Sequence, residues 1–264
     1  ISTVGNGLAP FSMQQGRDYS VLENAIKLRP DEYTLHPQLG FISLNRRLAD
    51  SDVLAVAFEY TISGDSKVYK VGEFTSDGIV APSNIVVKLL RSEIISTQIP
   101  MWNLMMKNIY SLQTYRMQRD GFRLELLYAD DATGVPINIL QNAQTAGISD
   151  RTLLNLFDID KLDQSQFAVP EGDGYFDYVE GSTVNSEKGY IIFPTVQPFG
   201  KSLELKLTNT ADATYIFKEL YEITQSEAKN NFQQKDKYLL KGYHKSESAN
   251  GIPLGAFNVP QGSV

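Results

Sequence analysis

The sequence contains no cysteine, only two histidines and one tryptophan in 264 residues. Without cysteine, disulfides and thiolate chemistry are excluded, and a chain of this length can be stable without covalent cross-links. Two isolated histidines argue against a tight zinc or copper site. His36 precedes Pro37 in a predicted turn and His244 lies in the polar stretch "GYHKSES". We therefore interpret both histidines as turn or surface residues rather than catalytic ones.

Basic clusters are also lacking. The formal net charge is −7, and the longest run of Lys and Arg is the pair Arg46 and Arg47. Such a chain offers no positive stripe to a phosphate backbone, so no nucleic-acid partner is expected. No apolar run approaches the length of a membrane-spanning helix, and the first residues, "ISTVGNGLAP", lack the basic end and apolar run of a signal peptide. No direct membrane span is expected in this segment.

Short strands are the most frequent pattern. The segment from Tyr33 to Leu44 predicts two strands about a turn at 36–40, and "VLAVAFEYT" (53–61) predicts a strand buried on at least one face. The turn "GDSK" then leads into "VYKVGEF". The sequence thus predicts consecutive β-hairpins in its first part.

A similar pattern returns later in the chain. With the constant offset that places Thr34 on Thr183, Gly40 falls on Gly189 and Phe41 on Tyr190. Further on, the same offset aligns Leu54, Val56, Phe58 and Thr61 with Leu203, Leu205, Leu207 and Thr210. We interpret the two stretches as copies of one strand, turn, strand, crossing, strand unit. The alternative is that any two amphipathic hairpins share these features.

Between the two stretches the pattern changes to helical. "PMWNLMMKNIYSLQTY" (100–115) predicts a short amphipathic helix, and "GISDRTLLNLFDIDKLD" (147–163) predicts a second helix capped by Ser149. "FRLELLYADDATG" (122–134) predicts a strand and a turn, and "ATYIFKELYEITQSEAKNNF" (213–232) predicts a third helix whose first half could instead be strand. The tail predicts strand, polar loop and strand.

These patterns give a mixed α+β, β-dominated fold, with two related β-sandwich-like units and short helical insertions. The predicted boundaries are a first β-unit at 1–98, a helix-containing connector at 99–165, and a second β-unit at 166–264. No phosphate-binding glycine loop is present. The residues that we expect to matter are structural: Gly40 and Gly189 at turns, Phe41, Ile42, Tyr190 and Ile191 in strands, and Pro194 and Pro198 in "FPTVQPFG".

The carboxylates between residues 158 and 180 form the one constellation that suggests a ligand. Oxygen-rich loops of this kind can hold calcium, with Asp158, Asp160, Asp163, Asp173 and Asp177 as candidate ligands. The order does not match an EF-hand, because Leu162 and Val169 stand where that loop needs oxygen ligands. Ordinary turn chemistry is the competing interpretation. Two opposed carboxylates could also serve a glycosidase.

Aromatic residues are plentiful, with 14 tyrosines and 13 phenylalanines. Exposed rings could form a sugar-binding platform, but aromatic residues more often fill β-sheet cores and cross-strand pairs. Trp102 lies among methionines and is interpreted as a packing residue.

Several phrases together resemble one family. They are "EYTLHPQLGFISLNRRLADSDVLAVAFEYT", "VYKVGEF", "WNLMMKNIYSL", "DGYFDYVEGSTVNSEKGYIIFPTVQPFG" and "LGAFNVPQGSV". In this order they resemble the SprA/Sov family of Bacteroidota, gliding-motility proteins that form the outer-membrane translocon of type IX protein secretion. The resemblance runs from about residue 17 to the end, and it rests on long phrases rather than one short motif.

The resemblance implies an internal, soluble fragment of a giant outer-membrane protein, at the cell surface or in the periplasm. It also implies that the second β-unit at 166–264 ends in the start of a further module. Its implied partners are other parts of its own long parent chain, other type IX components and secreted cargo proteins. It implies no catalytic residues and no cofactor, and "EGDGYFDY" departs from the plainer turn that the family often has there. Two other functions stay open from the residues: a surface carbohydrate-binding module and a calcium-stabilised adhesin domain.

Overall fold

The computed structural model describes residues 3–37, 39–80, 83–131, 134–231, 236–245 and 251–259. The chain divides into two compact units. The first comprises Ile1–Leu35 and Ile42–Met105, and the second comprises His36–Phe41 and Met106–Val264. Strands arranged in several small sheets dominate over a few short helices, which confirms the mixed, β-dominated fold class.

The first unit is built from hairpins and short helices. It begins with helix α1 (Val4–Leu8) and a 3₁₀ helix (Ala9–Phe11), and strand β1 (Tyr33–His36) pairs with β2 (Phe41–Leu44). Strand β3 (Leu54–Val56) pairs antiparallel with β6 (Lys88–Arg91), and β4 (Phe58–Thr61) pairs antiparallel with β5 (Val68–Val71). Further 3₁₀ helices lie at Thr75–Asp77 and Pro100–Leu104.

The predicted strand "VLAVAFEYT" is in fact two strands with different partners. The chain changes partner at Ala57, from β6 to β5, so β3 and β4 belong to separate sheets. All four residues of β4 are exposed, which makes the expectation of one buried face wrong for this half. Among the described residues of the first unit, Ile99 is the one buried hydrophobic side chain.

The second unit contains two three-stranded antiparallel sheets. In one, β10 (Tyr190–Ile192) lies between β7 (Ile109–Ser111) and β9 (Val184–Asn185). In the other, β11 (Tyr238–Lys245) lies between β8 (Arg123–Tyr128) and β12 (Gly251–Val259). The helices are α2 (Leu153–Leu156), α3 (Lys201–Glu204) and α4 (Gln225–Asn231), with 3₁₀ helices at Thr210–Tyr215 and Lys218–Tyr221.

An aromatic core holds the second unit together. The Tyr238 ring lies 4.6 Å from that of Phe199 and 5.4 Å from that of Phe157, and Phe193 contacts Phe199 edge to face at 5.3 Å. These side chains are buried together with Leu126 and other apolar residues of the same cluster. Tilted and edge-to-face pairs of this kind add to the free energy gained by burial, typically by ~1 kcal/mol each. The aromatic residues thus mainly build this core.

Two helix predictions need correction. The segment 100–115 is helical only in the 3₁₀ helix Pro100–Leu104, because residues 109–111 pair with β10 as a strand, and this pairing overrides the helical spacing. The next helix is capped by Thr152 rather than Ser149. Thr152 still forms a β-bridge with Ile139, and its hydroxyl accepts a hydrogen bond from the Asn155 amide at 3.3 Å, so the helix begins only at Leu153.

The internal repeat is limited to its hairpin. The strands β9 and β10 fall at the positions of β1 and β2 under the constant offset, but Leu203, the counterpart of Leu54, lies in helix α3. Leu54 has a partner strand in β6. Leu203 instead lies four residues after Phe199, and Leu203 and Phe199 are both buried in the aromatic core. The predicted third strand of the second copy is therefore wrong.

Both histidines are buried strand residues, contrary to the expectation of turn or surface positions. His36 ends β1 and stacks on Phe41, with ring centroids 4.2 Å apart. His244 lies in the middle sheet strand β11, where alternate side chains face inwards, so the polar residues around it in sequence are misleading. None of the helices among the described residues has the length and apolar character to cross a membrane.

Candidate functional site

The two repeated hairpins place the predicted structural residues. Gly40 and Gly189 have φ values of 70° and 68° and immediately precede β2 and β10. This left-handed conformation is the one that glycine adopts without steric cost. Phe41 forms a small buried cluster with Ile109 and Ile192, and Tyr190 packs against the same cluster. The structure thus brings together the aromatic residues that follow the two glycines.

The surroundings of the two glycines differ. A Cβ on Gly40 would meet open space, whereas a Cβ on Gly189 would overlap the carbonyl oxygen of Thr114. The carbonyl of Gly189 accepts the Leu112 amide at 2.8 Å, which holds this close approach between β10 and the chain after β7. Glycine is therefore required at position 189 both for the positive φ and for the close approach of the Thr114 backbone, whereas at position 40 it is required only for the positive φ.

The remaining predicted structural residues are not one site. Ile191 is fully buried in the main core of the second unit, and Ile42 is half-buried in β2. Pro198 is buried next to Phe199, whereas Pro194 is exposed. The segment "FPTVQPFG" is thus anchored at its two phenylalanines rather than by both prolines.

Residues 158–180, here called the acidic loop, wrap around two buried carboxylates. Asp160 is fully buried and accepts hydrogen bonds from the amides of Asp173 at 2.9 Å and Gly174 at 3.2 Å. Gly172 has a φ of 76°, and any Cβ there would overlap the Asp160 carboxylate. Burial raises the pKa of Asp160, while the two amide hydrogen bonds act in the opposite direction.

Asp177 also accepts two backbone amides, from the later part of the acidic loop. Its carboxylate accepts the amides of Lys161 at 2.6 Å and Leu162 at 3.1 Å, and its own amide donates to the carbonyl of Ile159 at 2.8 Å. Burial raises the pKa of Asp177 as well. Each buried carboxylate therefore satisfies two backbone donors that would otherwise be unpaired.

The other three calcium candidates are also engaged with the protein. The Asp163 carboxylate accepts the amides of Ser165 at 2.8 Å and Phe167 at 2.9 Å, and that of Asp173 accepts the Tyr175 amide at 3.0 Å. Asp158 forms an ion pair with Lys206, whose ammonium group also donates to the carbonyl of Leu156 at the end of α2. Such contacts are ordinary turn chemistry, which was the alternative to a calcium site.

The five candidates do not converge on one point. Within the described ranges, no group of three or more His, Cys, Asp or Glu side chains has an arrangement that could hold a metal ion. Calcium binding stays a prediction from sequence, and its most direct test is given in the Discussion.

Sequence reasoning missed a buried hydrogen-bond network that connects Asn155 to the acidic loop. The buried side chain of Asn155 donates to the carbonyls of Asp160 at 2.6 Å and Pro170 at 3.1 Å, and its oxygen accepts from Arg151 at 2.5 Å. Lys161 also donates to the Pro170 carbonyl at 3.0 Å. The only signal in the sequence is an asparagine inside an apolar helical stretch, which is a place where a buried hydrogen-bonding role is to be suspected.

A third buried carboxylate was missed entirely. Asp212 accepts the amides of Gln144 at 2.7 Å and Thr145 at 2.8 Å, and the Thr145 hydroxyl at 2.5 Å. Burial acts to raise the pKa of Asp212, but these hydrogen bonds outweigh it and the pKa lies below its usual value. Asp212 thus joins two loops that are far apart in the sequence.

The acidic loop also forms one wall of a groove of about 660 Å³. Its aromatic part consists of Phe122, Tyr175, Phe176 and Tyr178, and the Phe122 ring lies 5.7 Å from that of Phe176 and 5.0 Å from that of Tyr178. Polar groups including Arg119, Gln164 and Gln166 line the groove as well. The lining of the groove is more polar than apolar, whereas small-molecule sites are lined mainly by apolar and aromatic side chains.

A close pairing of a histidine with a hydroxyl lies outside this groove. His244 Nε2 is 3.0 Å from the Thr114 hydroxyl, but among the residues that the structure describes its Nδ1 has no hydrogen-bond partner, and both groups are at least partly buried. A nucleophile and base pair needs a third group that orients the base, and this pair has none at Nδ1.

Neither comparison with known proteins provides a relative. No family model matches the chain, and no curated protein matches it significantly.

Proposed function

We propose that the chain is a non-catalytic structural module of a giant outer-membrane translocon of the SprA/Sov type. The parent protein would serve type IX protein secretion and gliding motility in Bacteroidota. The module would shape, cap or dock the pore and would require no chemistry of its own. It would lie on the extracellular or the periplasmic side of the outer membrane.

The observation that carries this proposal is the ordered set of long phrases that resemble the family. Two of these phrases, around Gly40 and Gly189, form the repeated hairpins whose aromatic residues Phe41 and Tyr190 pack in one cluster. These two phrases therefore coincide with framework elements of the fold.

The placement of polar groups supports a structural role. The buried carboxylates Asp160, Asp177 and Asp212 each accept at least two hydrogen bonds from backbone amides. Carboxylates used in this way satisfy buried backbone donors and stabilise the segments that they join. The proposed partners are other parts of the parent chain, other type IX components and cargo proteins.

Secretion by cells whose full-length parent lacks residues 16–264 tests the proposal. The deletion is made in frame, the amount of parent in the outer membrane is measured by immunoblot, and type IX cargo is quantified in periplasm and medium. A matched control replaces the same segment with a flexible linker that spans the gap between its ends.

The proposal expects the truncated parent to reach the outer membrane while cargo accumulates in the periplasm. Export that equals the wild-type value, with the truncated parent present at normal level, would overturn the proposal.

A second candidate function is surface carbohydrate binding, which the hairpin of β4 and β5 favours. Phe58 and Tyr60 are 43% and 44% exposed, and the rings of Tyr60 and Tyr69 are nearly parallel at 5.2 Å. Exposed aromatic faces of this kind can stack on sugar rings. A glycan panel tests it: saturable binding that Tyr60→Ala abolishes and Tyr115→Ala preserves would support it, and no binding would exclude it.

A further inference from the structure

Tyr175 is an exposed aromatic residue on an ordered support. It is 52% exposed and lines the groove of about 660 Å³ beside the acidic loop, here called the acidic-loop groove. Among the described residues its ring contacts no other ring. Its amide donates to the Asp173 carboxylate at 3.0 Å, and the amides of Asp173 and Gly174 donate to the buried Asp160. Hydrogen bonds on three consecutive amides therefore hold the turn that presents Tyr175 to solvent.

The close packing behind this turn limits its movement. Gly172 has a φ of 76° and lies so close to the Asp160 carboxylate that no side chain fits between them. Ordering a loop on binding reduces affinity, and a side chain that is held in place beforehand avoids part of this loss. The buried carboxylate thus prepares an exposed tyrosine for contact with a ligand.

A second wall of the acidic-loop groove is a tight turn that carries two glutamines. Asp163 Oδ1 accepts the amides of Ser165 and Phe167, and the Asp163 amide donates to the Phe167 carbonyl at 2.9 Å. Gln166, inside this turn, has a φ of 67°, which is uncommon for a residue other than glycine. Gln164 and Gln166 are exposed and line the groove, and neither side-chain amide hydrogen-bonds to another residue that the structure describes.

Two carboxylates of the groove keep acceptor capacity. Both amides that Asp163 accepts bond to its Oδ1, and the amide that Asp173 accepts bonds to Oδ1 as well. A carboxylate has about four acceptor positions in all. Within the described ranges, the Oδ2 atoms of Asp163 and Asp173 have no hydrogen-bond partner. These atoms can accept from a ligand without releasing any backbone amide.

The lining fits an uncharged ligand with many hydroxyl groups. A sugar ring has an apolar face of C–H groups that can stack on a tyrosine ring, and its hydroxyl groups can bond to carboxylates and side-chain amides. An anionic ligand is disfavoured because carboxylates outnumber guanidinium groups in the lining. The charged lining residues are Asp120, Asp163, Asp173 and Asp177 against Arg119. A purely apolar ligand is disfavoured as well, because it would cover polar groups without bonding to them.

We propose that the acidic-loop groove binds a neutral oligosaccharide, with one sugar ring stacked on Tyr175. The hydroxyl groups of the sugar bond to the free side-chain groups of Gln164, Gln166, Asp163 and Asp173. The volume of about 660 Å³ lies within the range of small-ligand sites, ~300–1,000 Å³. The groove belongs to the second unit and the hairpin of β4 and β5 to the first, so the two are separate sites. This inference does not rest on the proposed translocon function.

Titration of defined sugars tests the proposal. The probes are cellohexaose, maltohexaose and laminarihexaose, three neutral glucose hexamers of different linkage, each titrated calorimetrically into the 264-residue chain. We expect saturable binding of at least one of them. The counterpart of that hexamer with a carboxylate at every C6 has the same linkage and a high negative charge. It should bind about tenfold more weakly or less, because the field of the groove is negative.

Three tyrosine positions provide matched variants. Tyr175→Ala should weaken sugar binding about tenfold, whereas Tyr175→Phe keeps the ring and should retain most of the affinity. Tyr115 is 75% exposed and does not line the groove, so Tyr115→Ala should leave binding unchanged. Tyr60→Ala should also leave it unchanged, which separates this site from the hairpin of β4 and β5.

NMR of the wild-type chain locates the site without any variant. Bound sugar should shift the backbone amide of Tyr175 and the side-chain NH₂ signals of Gln164 and Gln166. The side-chain NH₂ signal of Gln113, which is exposed but outside the groove, is the internal control and should not move.

Three results would each overturn the proposal. They are the absence of saturable binding of all three hexamers up to millimolar concentration, unchanged affinity in Tyr175→Ala, and binding of the carboxylated hexamer that equals or exceeds that of the neutral one. Sugar binding that Tyr60→Ala abolishes and Tyr175→Ala preserves would assign the sugar to the hairpin instead.

Discussion

Gly189 lies against the carbonyl group of Thr114 so closely that no side chain fits between them. Its counterpart in the first hairpin, Gly40, has nearly the same backbone conformation but open space beside it. The pair separates two reasons for glycine that a sequence alone cannot distinguish: a positive φ and a close approach of two backbones.

The first prediction compares Gly189→Ala with Gly40→Ala. Alanine at Gly40 has only the cost of a left-handed backbone, about 1 kcal/mol. Alanine at Gly189 has this cost and must also displace the Thr114 backbone, so we expect about 3 kcal/mol. Urea denaturation of the two variants measures both values. Equal losses would show that the contact with Thr114 does not constrain the hairpin.

The second prediction concerns the buried carboxylates of the acidic loop. In Asp160→Asn, the new NH₂ group faces either the Asp173 amide or the Gly174 amide. Two hydrogen-bond donors then point at each other, and one backbone amide loses its acceptor. We expect a loss of about 1–3 kcal/mol in the free energy of unfolding. The exposed Asp150 is the matched control, and Asp150→Asn should change stability by less than about 0.5 kcal/mol. A loss no larger than that of the control would refute the role of Asp160.

The third prediction is that calcium does not stabilise the chain. The carboxylates of Asp160, Asp163 and Asp177 already accept backbone amides, and freeing them for an ion would leave those amides unpaired. The melting temperature should therefore be the same in calcium and in chelator. Because a ligand selective for the folded state must raise stability, a melting temperature that rises with calcium concentration would establish a site and revive the adhesin reading.

The fourth prediction concerns His36. Burial, with a smaller contribution from the charge of Lys188, lowers the pKa of His36 below its usual value of 6.5. Since the folded-state pKa lies below the unfolded one, stability is full above pH 6.5 and is lost as the pH falls from there towards the lowered pKa. NMR titration measures this pKa, and His36→Phe assigns the resonance. Lys188→Gln should move the pKa only part of the way back to 6.5.

A pKa of His36 at or above 6.5 would contradict the buried, stacked position against Phe41. The same titration would then predict no loss of stability between neutral pH and pH 5, which denaturation at the two pH values would check.

The hairpins were predictable from sequence because their signals are local. Gly40 and Gly189 followed by aromatic and branched residues indicate a turn and a half-buried strand without any knowledge of distant partners. Leu203 was not predictable in the same way. Its local sequence pattern matches that of Leu54. The two residues differ in conformation because Leu54 pairs with a partner strand, whereas Leu203 packs beside Phe199 in the core, and neither partner can be read from the local pattern.

The candidate site was likewise predictable only where the signal is local in the sequence. A cluster of carboxylates in the acidic loop was visible in the sequence, but whether they face an ion or backbone amides depends on how residues 160 and 173 meet. Asp212 gave no signal, because its partners at 144 and 145 are remote along the chain.

The most direct test of the central claim is type IX cargo export by the full-length parent carrying Gly189→Ala or Gly40→Ala, with equal amounts of parent in the outer membrane. The account predicts that Gly189→Ala, which destabilises the second unit by about 3 kcal/mol, lowers export and leaves cargo in the periplasm, while Gly40→Ala exports nearly as the wild type does. Export by the Gly189→Ala parent that equals the wild-type value would contradict the account.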